Sequence, residues 1–307
     1  MSSGFDYAAL LEEVLNECRS QAERGQLATY IPELRKGNPR HAGIALQTAT
    51  GFFEAGDTRV EFTLQSISKV LSLLVAIEER GPEAVFAKVG AEPTGDPFNS
   101  IMKLEMAERK PPNPMINAGA IAVCSLIPGS SVEERFARIA GLLERILDRP
   151  VAIDEAVYRS EKETAHRNRA LAHFLKDINC LEGDVEEVLD LYFRQCSILV
   201  NCADLARIGM FFAAKGISGA GTPLVSARAV RLVCTFMATC GMYDGSGEFA
   251  IQVGIPAKSG VSGGILGAVP GRCGVATFGP ALDRKGNSVV GISMLKRVSE
   301  ILDLSIF

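Results

Sequence analysis

The 307-residue sequence contains no tryptophan and only three histidines, His41, His166 and His173. So few imidazoles make a histidine-rich metal site hard to build. His166 and His173 lie seven apart in a helical stretch but lack a third ligand at metal spacing. The eight cysteines, at positions 18, 124, 180, 196, 202, 234, 240 and 273, include no C-x-x-C pair. In a chain of this length they read as reduced thiols of a cytoplasmic protein. Long apolar runs are missing too. The longest, around Val70–Ile77 and Ile116–Ile127, fall short of the roughly 20 residues that a spanning helix needs. Lys+Arg 32 against Asp+Glu 36 leaves a net charge of −4 with no basic block. Neither a nucleic-acid nor a membrane partner is expected. Glycine-rich Gly241–Gly247 and Val261–Gly264 lack the P-loop lysine pattern, and no nucleotide or other cofactor is implied.

The composition present, 47% hydrophobic and 22% charged, is that of a globular protein, without repeats or low-complexity tracts. Near the N-terminus, Glu12, Glu13 and Glu17 among Leu10, Leu11, Val14 and Leu15 describe an amphipathic helix, not a secretory signal. Short strands are expected over 41–50, 51–55 and 60–63, then a buried helix from Leu64 to Glu79 stopped by Gly81-Pro82. Residues from about 83 to 240 read as mainly helical, with capping-box spacing at Ser131-x-x-Glu134 and Ser160-x-x-Glu163. Short apolar runs at 255–259, 264–270 and 274–278 read as strands, and a strand-to-helix segment over 287–304 closes the chain. The expected class is α/β, a sheet built from both chain ends (about 25–80 and 241–307) with an inserted helical lobe.

The sharpest local signal is Ser66-Ile67-Ser68-Lys69 at the start of the buried helix. Serine and lysine three apart share a helix face. A desolvated lysine can take the hydroxyl proton that keeps serine a poor nucleophile. Alone, S-x-x-K is weak. It gains from Lys258-Ser259-Gly260, which ends a late expected strand. That order, S-x-x-K and then K-[ST]-G, is the pairing of penicillin-recognising serine enzymes.

Longer stretches narrow this. Phe62–Val70, Asn113–Ala120, Ser160-Glu161, Arg167-Asn168, Tyr192-Phe193, Gly241–Tyr243 and Gly254–Gly264 run through nearly the whole chain. With them the sequence resembles the serine-dependent glutaminases of bacterial type, which share the β-lactamase-like fold. The resemblance implies a mainly antiparallel central sheet, a single catalytic unit over 1–307, and hydrolysis of L-glutamine to L-glutamate and ammonia. It further implies a homotetramer or a dimer. The family's nucleophile falls on Ser66, its lysine base on Lys69 and its proton carrier on Tyr243. Its glutamine contacts fall on Tyr30, Gln65, Ser66, Asn117, Glu161, Asn168, Tyr192, Tyr243 and Val261.

Glutamine carries an α-ammonium and an α-carboxylate. Glu161 suits the first, and the amides of Asn117 and Asn168 suit the second. Glu161 and Asn168 are seven apart, about two helical turns, so one helix could present both. Val261 would lend its backbone N–H to an oxyanion hole. Nearby cations would lower the Tyr243 pKa. The S-D-N motif of many β-lactamases is absent, which leaves the base of each half-reaction open. A β-lactamase-type hydrolase of the same fold is the alternative reading.

Overall fold

The computed structural model describes residues 5–94 and 110–307. Its main sheet has five strands: β1 (Gly43–Thr48), β2 (Phe52–Gly56), β5 (Ala257–Ser259), β6 (Gly264–Val269) and β7 (Cys273–Phe278). Their spatial order is β2-β1-β7-β6-β5, and every neighbouring pair is antiparallel. The join between the two chain ends is β1 against β7, from Gly43 opposite Phe278 to Thr48 opposite Cys273. A second, two-stranded sheet pairs β3 (Phe62–Thr63) with β4 (Leu199–Val200). The sequence therefore placed a strand correctly at Phe62–Thr63 but could not show that it pairs outside the main sheet.

Twelve α-helices lie among the described residues. They are α1 (Tyr7–Cys18), α2 (Ser68–Arg80), α3 (Pro82–Lys88), α4 (Asn117–Ser125), α5 (Val132–Leu147), α6 (Glu155–Thr164), α7 (His166–Asp177), α8 (Val185–Cys196), α9 (Cys202–Ala213), α10 (Ala227–Cys240), α11 (Ser246–Gln252) and α12 (Val289–Leu302). None is long and apolar enough to cross a membrane.

Strand alternation divides the core into two layers. On β1, β6 and β7, Ala45, Leu266, Ala268, Ala276 and Phe278 face the helical side. Ile44, Leu46, Ile265, Val269, Cys273 and Val275 face α1 and α12. Because both faces are covered, β6 and β7 read as continuous apolar runs rather than alternating ones. Helix α9 lies against the sheet at backbone distance. A Cβ on Gly209 would meet the Gly267 carbonyl oxygen at 2.3 Å, and one on Gly274 would meet the Ala206 carbonyl oxygen at 2.1 Å. Helix α2 is buried from Ser68 through Ile77, as its apolar circumference predicts, and ends at Gly81 with φ +81°. None of the eight cysteines forms a disulfide among the described residues, and seven of them are buried.

Three local expectations need correction. Ser131 does cap α5 by accepting from Glu134 N–H, but the Glu134 carboxylate turns to Ser130 instead of closing the box. Ser160 caps nothing, because it lies inside α6, whose cap is Asp154. The reciprocal box is at Asn201 and Asp204, opening α9. The last segment is helical from Val289, with only single-residue bridges before it.

Candidate active site

The chain leaves β3 through Leu64 and turns sharply at Gln65, whose φ of +48° lies in the left-handed region. Ser66 follows on a 3-10 turn (Gln65–Ile67) that feeds directly into α2. So Ser66 and Lys69 do not share one regular helix; Ser66 stands on a tight turn at its mouth. Four of the six non-glycine residues with positive φ close helix ends, at Asp148, Asn179, Lys215 and Asp303. The other two are Gln65 and Tyr243. Such backbone costs on the order of 1–3 kcal/mol per residue and persists only where packing enforces it.

Lys69 is fully buried. Its Nζ donates to Asn117 Oδ1 at 2.7 Å and to the Met115 carbonyl at 3.3 Å. Burial lowers its pKa to about 8, opposed by the nearby acidic groups Cys196, Glu161 and Cys124. At that value on the order of a tenth of the molecules carry the neutral amine at pH 7.

Tyr243 opens a 3-10 turn after α10, with φ +55°. Its hydroxyl donates to the Ser259 carbonyl at 3.2 Å and is hydrogen-bonded with Ser66. The expected lowering of its pKa does not occur. Burial outweighs both hydrogen bonds and pushes it up to about 12, so the phenol holds its proton at neutral pH. Lys258, also fully buried, places Nζ 4.2 Å from the centre of the Tyr243 ring. The glycine of Lys258-Ser259-Gly260 packs against the Ser66 turn. A Cβ there would stand 2.8 Å from the Leu64 carbonyl oxygen, so its absence lets β5 close against residues 64–67. Ser262 Oγ donates to the Thr63 carbonyl at 2.6 Å, a second tie between the same segments. Val261, one residue past Gly260, is buried with its backbone beside this turn, and its N–H makes no backbone hydrogen bond among the described residues.

Four polar residues from four helices gather around Lys69. Asn117 is the hub: Oδ1 accepts from Lys69 and, at 3.3 Å, from the Tyr192 hydroxyl, while Nδ2 donates to Asn168 Oδ1 at 3.1 Å. Glu161 and Asn168 come from α6 and α7, not from one helix, because the chain breaks at Ala165. Glu161 is buried, and its Oε2 has no hydrogen-bond partner among the described residues. Burial raises its pKa to about 8, with Lys69 and then Gln65 pulling it down. Its helix is tied to α8 by Lys162 and Tyr158, both on Asp190. Tyr30 is 53% exposed as a residue, yet its hydroxyl end is desolvated and senses Tyr243 and Glu161, which raises its pKa. It lies at a rim: Tyr30 and Val261 line one surface cleft of about 530 Å³.

The structure thus gathers Ser66, Lys69, Gln65, Asn117, Glu161, Asn168, Tyr192 and Tyr243 into one hydrogen-bonded and electrostatic cluster, with Tyr30 and Val261 at its edge. What sequence reading missed is backbone. Neither left-handed residue is a glycine, so no residue type announced it. His166 and His173 lie on α7 and are exposed.

A family model for glutaminase matches residues 25–307. The chain is similar to the glutaminase of Alkaliphilus oremlandii, 51% identical over 97% of this chain and 99% of the relative. A probable glutaminase of Bacillus subtilis superposes with a TM-score of 0.92 at 41% identity, over 98% of this chain and 97% of that one. Similar too is a Bacillus subtilis glutaminase in covalent complex with 5-oxo-L-norleucine, formed by reaction with 6-diazo-5-oxo-L-norleucine. It matches with a TM-score of 0.89 at 39% identity, over 98% of this chain and 100% of that chain.

Proposed function

The chain belongs to the glutaminase family, with its β-lactamase-like fold, and from that premise we propose that this amidohydrolase cleaves the side-chain amide of L-glutamine through a Ser66 acyl-enzyme. The observation that carries the reading is Ser66, directly after left-handed Gln65, hydrogen-bonded with the protonated Tyr243 hydroxyl and three residues ahead of buried Lys69, whose pKa is lowered to about 8.

Neutral Lys69 takes the Ser66 proton as Oγ attacks the side-chain carbonyl carbon. The Ser66 and Val261 N–H groups receive the oxyanion. Tyr243 gives its proton to the departing nitrogen, so ammonia leaves instead of an amide anion. A tyrosinate is costly where the pKa stands at about 12, so it is brief: the attacking water returns the proton in the second half-reaction. Lys69 then hands its proton back to Ser66 Oγ as glutamate departs, and the enzyme is restored.

Selectivity follows from what is left unpaired. The Glu161 carboxylate lacks a partner at Oε2, and an α-ammonium would supply it. The Asn117 amide is largely spent on Lys69, Tyr192 and Asn168, which leaves the Asn168 NH₂ to meet the α-carboxylate. The adduct formed by the Bacillus subtilis relative supports a nucleophilic site of this type. A cytoplasmic setting accords with eight cysteines outside any disulfide among the described residues, and a homotetramer or dimer is inferred from the family alone. Ammonia release from a panel of amino-acid amides, with peptide mapping after an electrophilic glutamine analogue, tests the reading. The label belongs on Ser66; an adduct on a cysteine with Ser66 unmodified overturns it.

A further inference from the structure

We propose that Asn287, which lies 44 residues beyond Tyr243 in the chain, is a positioning residue for Tyr243. A left-handed tyrosine must be held in place, and the structure shows by what. The three consecutive carbonyls of Gly241, Met242 and Tyr243 each accept a side-chain hydrogen bond. Lys258 Nζ donates to Gly241 at 3.0 Å, Asn287 Nδ2 to Met242 at 3.3 Å, and Ser246 Oγ to Tyr243 at 2.8 Å. The Tyr243 turn also lies flat against β5. A Cβ on Gly241 would fall 1.7 Å from the Ala257 carbonyl oxygen.

Asn287 is the member that joins the parts. Its Oδ1 accepts from Ser259 Oγ at 2.6 Å, while its Nδ2 holds the Met242 carbonyl. Ser259 is the residue whose carbonyl receives the Tyr243 hydroxyl. One buried amide therefore fixes both the backbone before the tyrosine and the strand residue that orients its hydroxyl. Asn287 is itself held by Asp283, whose Oδ1 accepts the Asn287 N–H at 2.9 Å and whose N–H donates to the Asn287 carbonyl at 2.8 Å. It is nearly fully buried, and the hydrogen bonds of its side chain go to Ser259 and Met242, neither of them assigned to the substrate. Its effect must pass through the tyrosine.

The experiment is a double-mutant cycle with two substrates, glutamine and a γ-glutamyl nitrophenyl ester, whose leaving group needs no proton. Only the leaving-group comparison rests on Tyr243 as proton donor; the cycle does not. Asn287→Ala should lower kcat/KM for glutamine about 10–100-fold, carried by kcat, as expected for a displaced reacting group. The ester should lose under about threefold. In a Tyr243→Phe background the Asn287 change should cost less than about twofold, because the group it positions is gone. Asn287→Asp keeps the acceptor for Ser259 but loses the donor to Met242, and should show the same pattern if the alanine variant folds poorly. Thermal unfolding of each variant checks that it is folded. An undiminished Asn287 effect in the Tyr243→Phe background overturns the proposal. If Tyr243→Phe itself slows both substrates alike, the proton-donor reading falls, and the cycle alone decides on Asn287.

Discussion

Two lysines are fully buried among the described residues, Lys69 and Lys258, and their surroundings differ. Lys69, on α2, meets one side-chain amide and one carbonyl, with Glu161 nearby. Lys258, on β5, is held by two backbone carbonyls, Gly241 at 3.0 Å and Ser259 at 2.7 Å, beneath the Tyr243 ring. Burial lowers both pKa values. For Lys258 the nearby Lys69 lowers it further, whereas for Lys69 the acidic neighbours push it back to about 8. A side-chain amide shared with Tyr192 and a nearby carboxyl suit the proposed role of Lys69 as a group that gains and loses a proton. Main-chain carbonyls suit a brace. On the proposed mechanism, equal burial does not mean equal function, because the partners differ.

The sharpest way to break this comparison is to replace each lysine by methionine, which keeps the stem and removes the amine. Lys69→Met should lower kcat by about 10²–10⁴-fold, the range for loss of a general base. It should slow labelling of Ser66 in step. Lys258→Met should cost clearly less in kcat and show itself in a lowered Tm. Equal losses of kcat would erase the distinction between base and brace.

Glu161→Gln tests whether the carboxylate beside Lys69 serves substrate. It should cost glutamine a few kcal/mol in kcat/KM, in line with a lost charge-assisted hydrogen bond. Nα-acylated glutamine should be poor from the start and lose little more. An unchanged kcat/KM for glutamine would remove Glu161 from the site.

The pH profile sharpens the comparison further. Lys69 must lose its proton to act, and Glu161 must lose its proton to pair with an ammonium. Both pKa values stand at about 8. Below that pH, log kcat/KM should rise with a slope approaching 2, because two protons leave the free enzyme. In Glu161→Gln the slope should fall toward 1, and in Lys258→Met it should remain as in wild type. A flat profile between pH 6 and about 8 would contradict the role of Lys69.

The smallest effect is expected at Tyr192→Phe. It removes a 3.3 Å hydrogen bond to Asn117 and leaves the Lys69 contact intact. A loss of about 1 kcal/mol in kcat/KM is the ordinary worth of such a bond. A loss as large as that at Lys69 would make the tyrosine part of the chemistry.

Much of the architecture was legible because burial leaves a compositional trace. Strands covered on both faces became apolar runs, and α2 became a helix without a polar side. Gly81 and the glycines around β6 and β7 marked the ends of elements. The break at Ala165 was not legible, since no glycine or proline marks it. Ser160 was misread as a cap because its spacing to Glu163 matches a box that only the backbone conformation can confirm. Asn287 carried no local signal at all, because its partners, Ser259 and Met242, are 28 and 45 residues away.

What the sequence by itself determined is the inventory: S-x-x-K at the mouth of an apolar helix, K-S-G on a late strand, and the polar residues at matched positions between them. Those signals are local, set by spacing along one element, and spacing survives folding unchanged. What only the tertiary structure decided is how each group behaves. Desolvation depends on every element packed around a side chain. It took the chain's full closure to bring Lys69 to about 8, Glu161 up to about 8 and Tyr243 up to about 12. The same closure forced Gln65 and Tyr243 into left-handed backbone, which their side chains disfavour and which neighbours from distant parts of the chain hold in place.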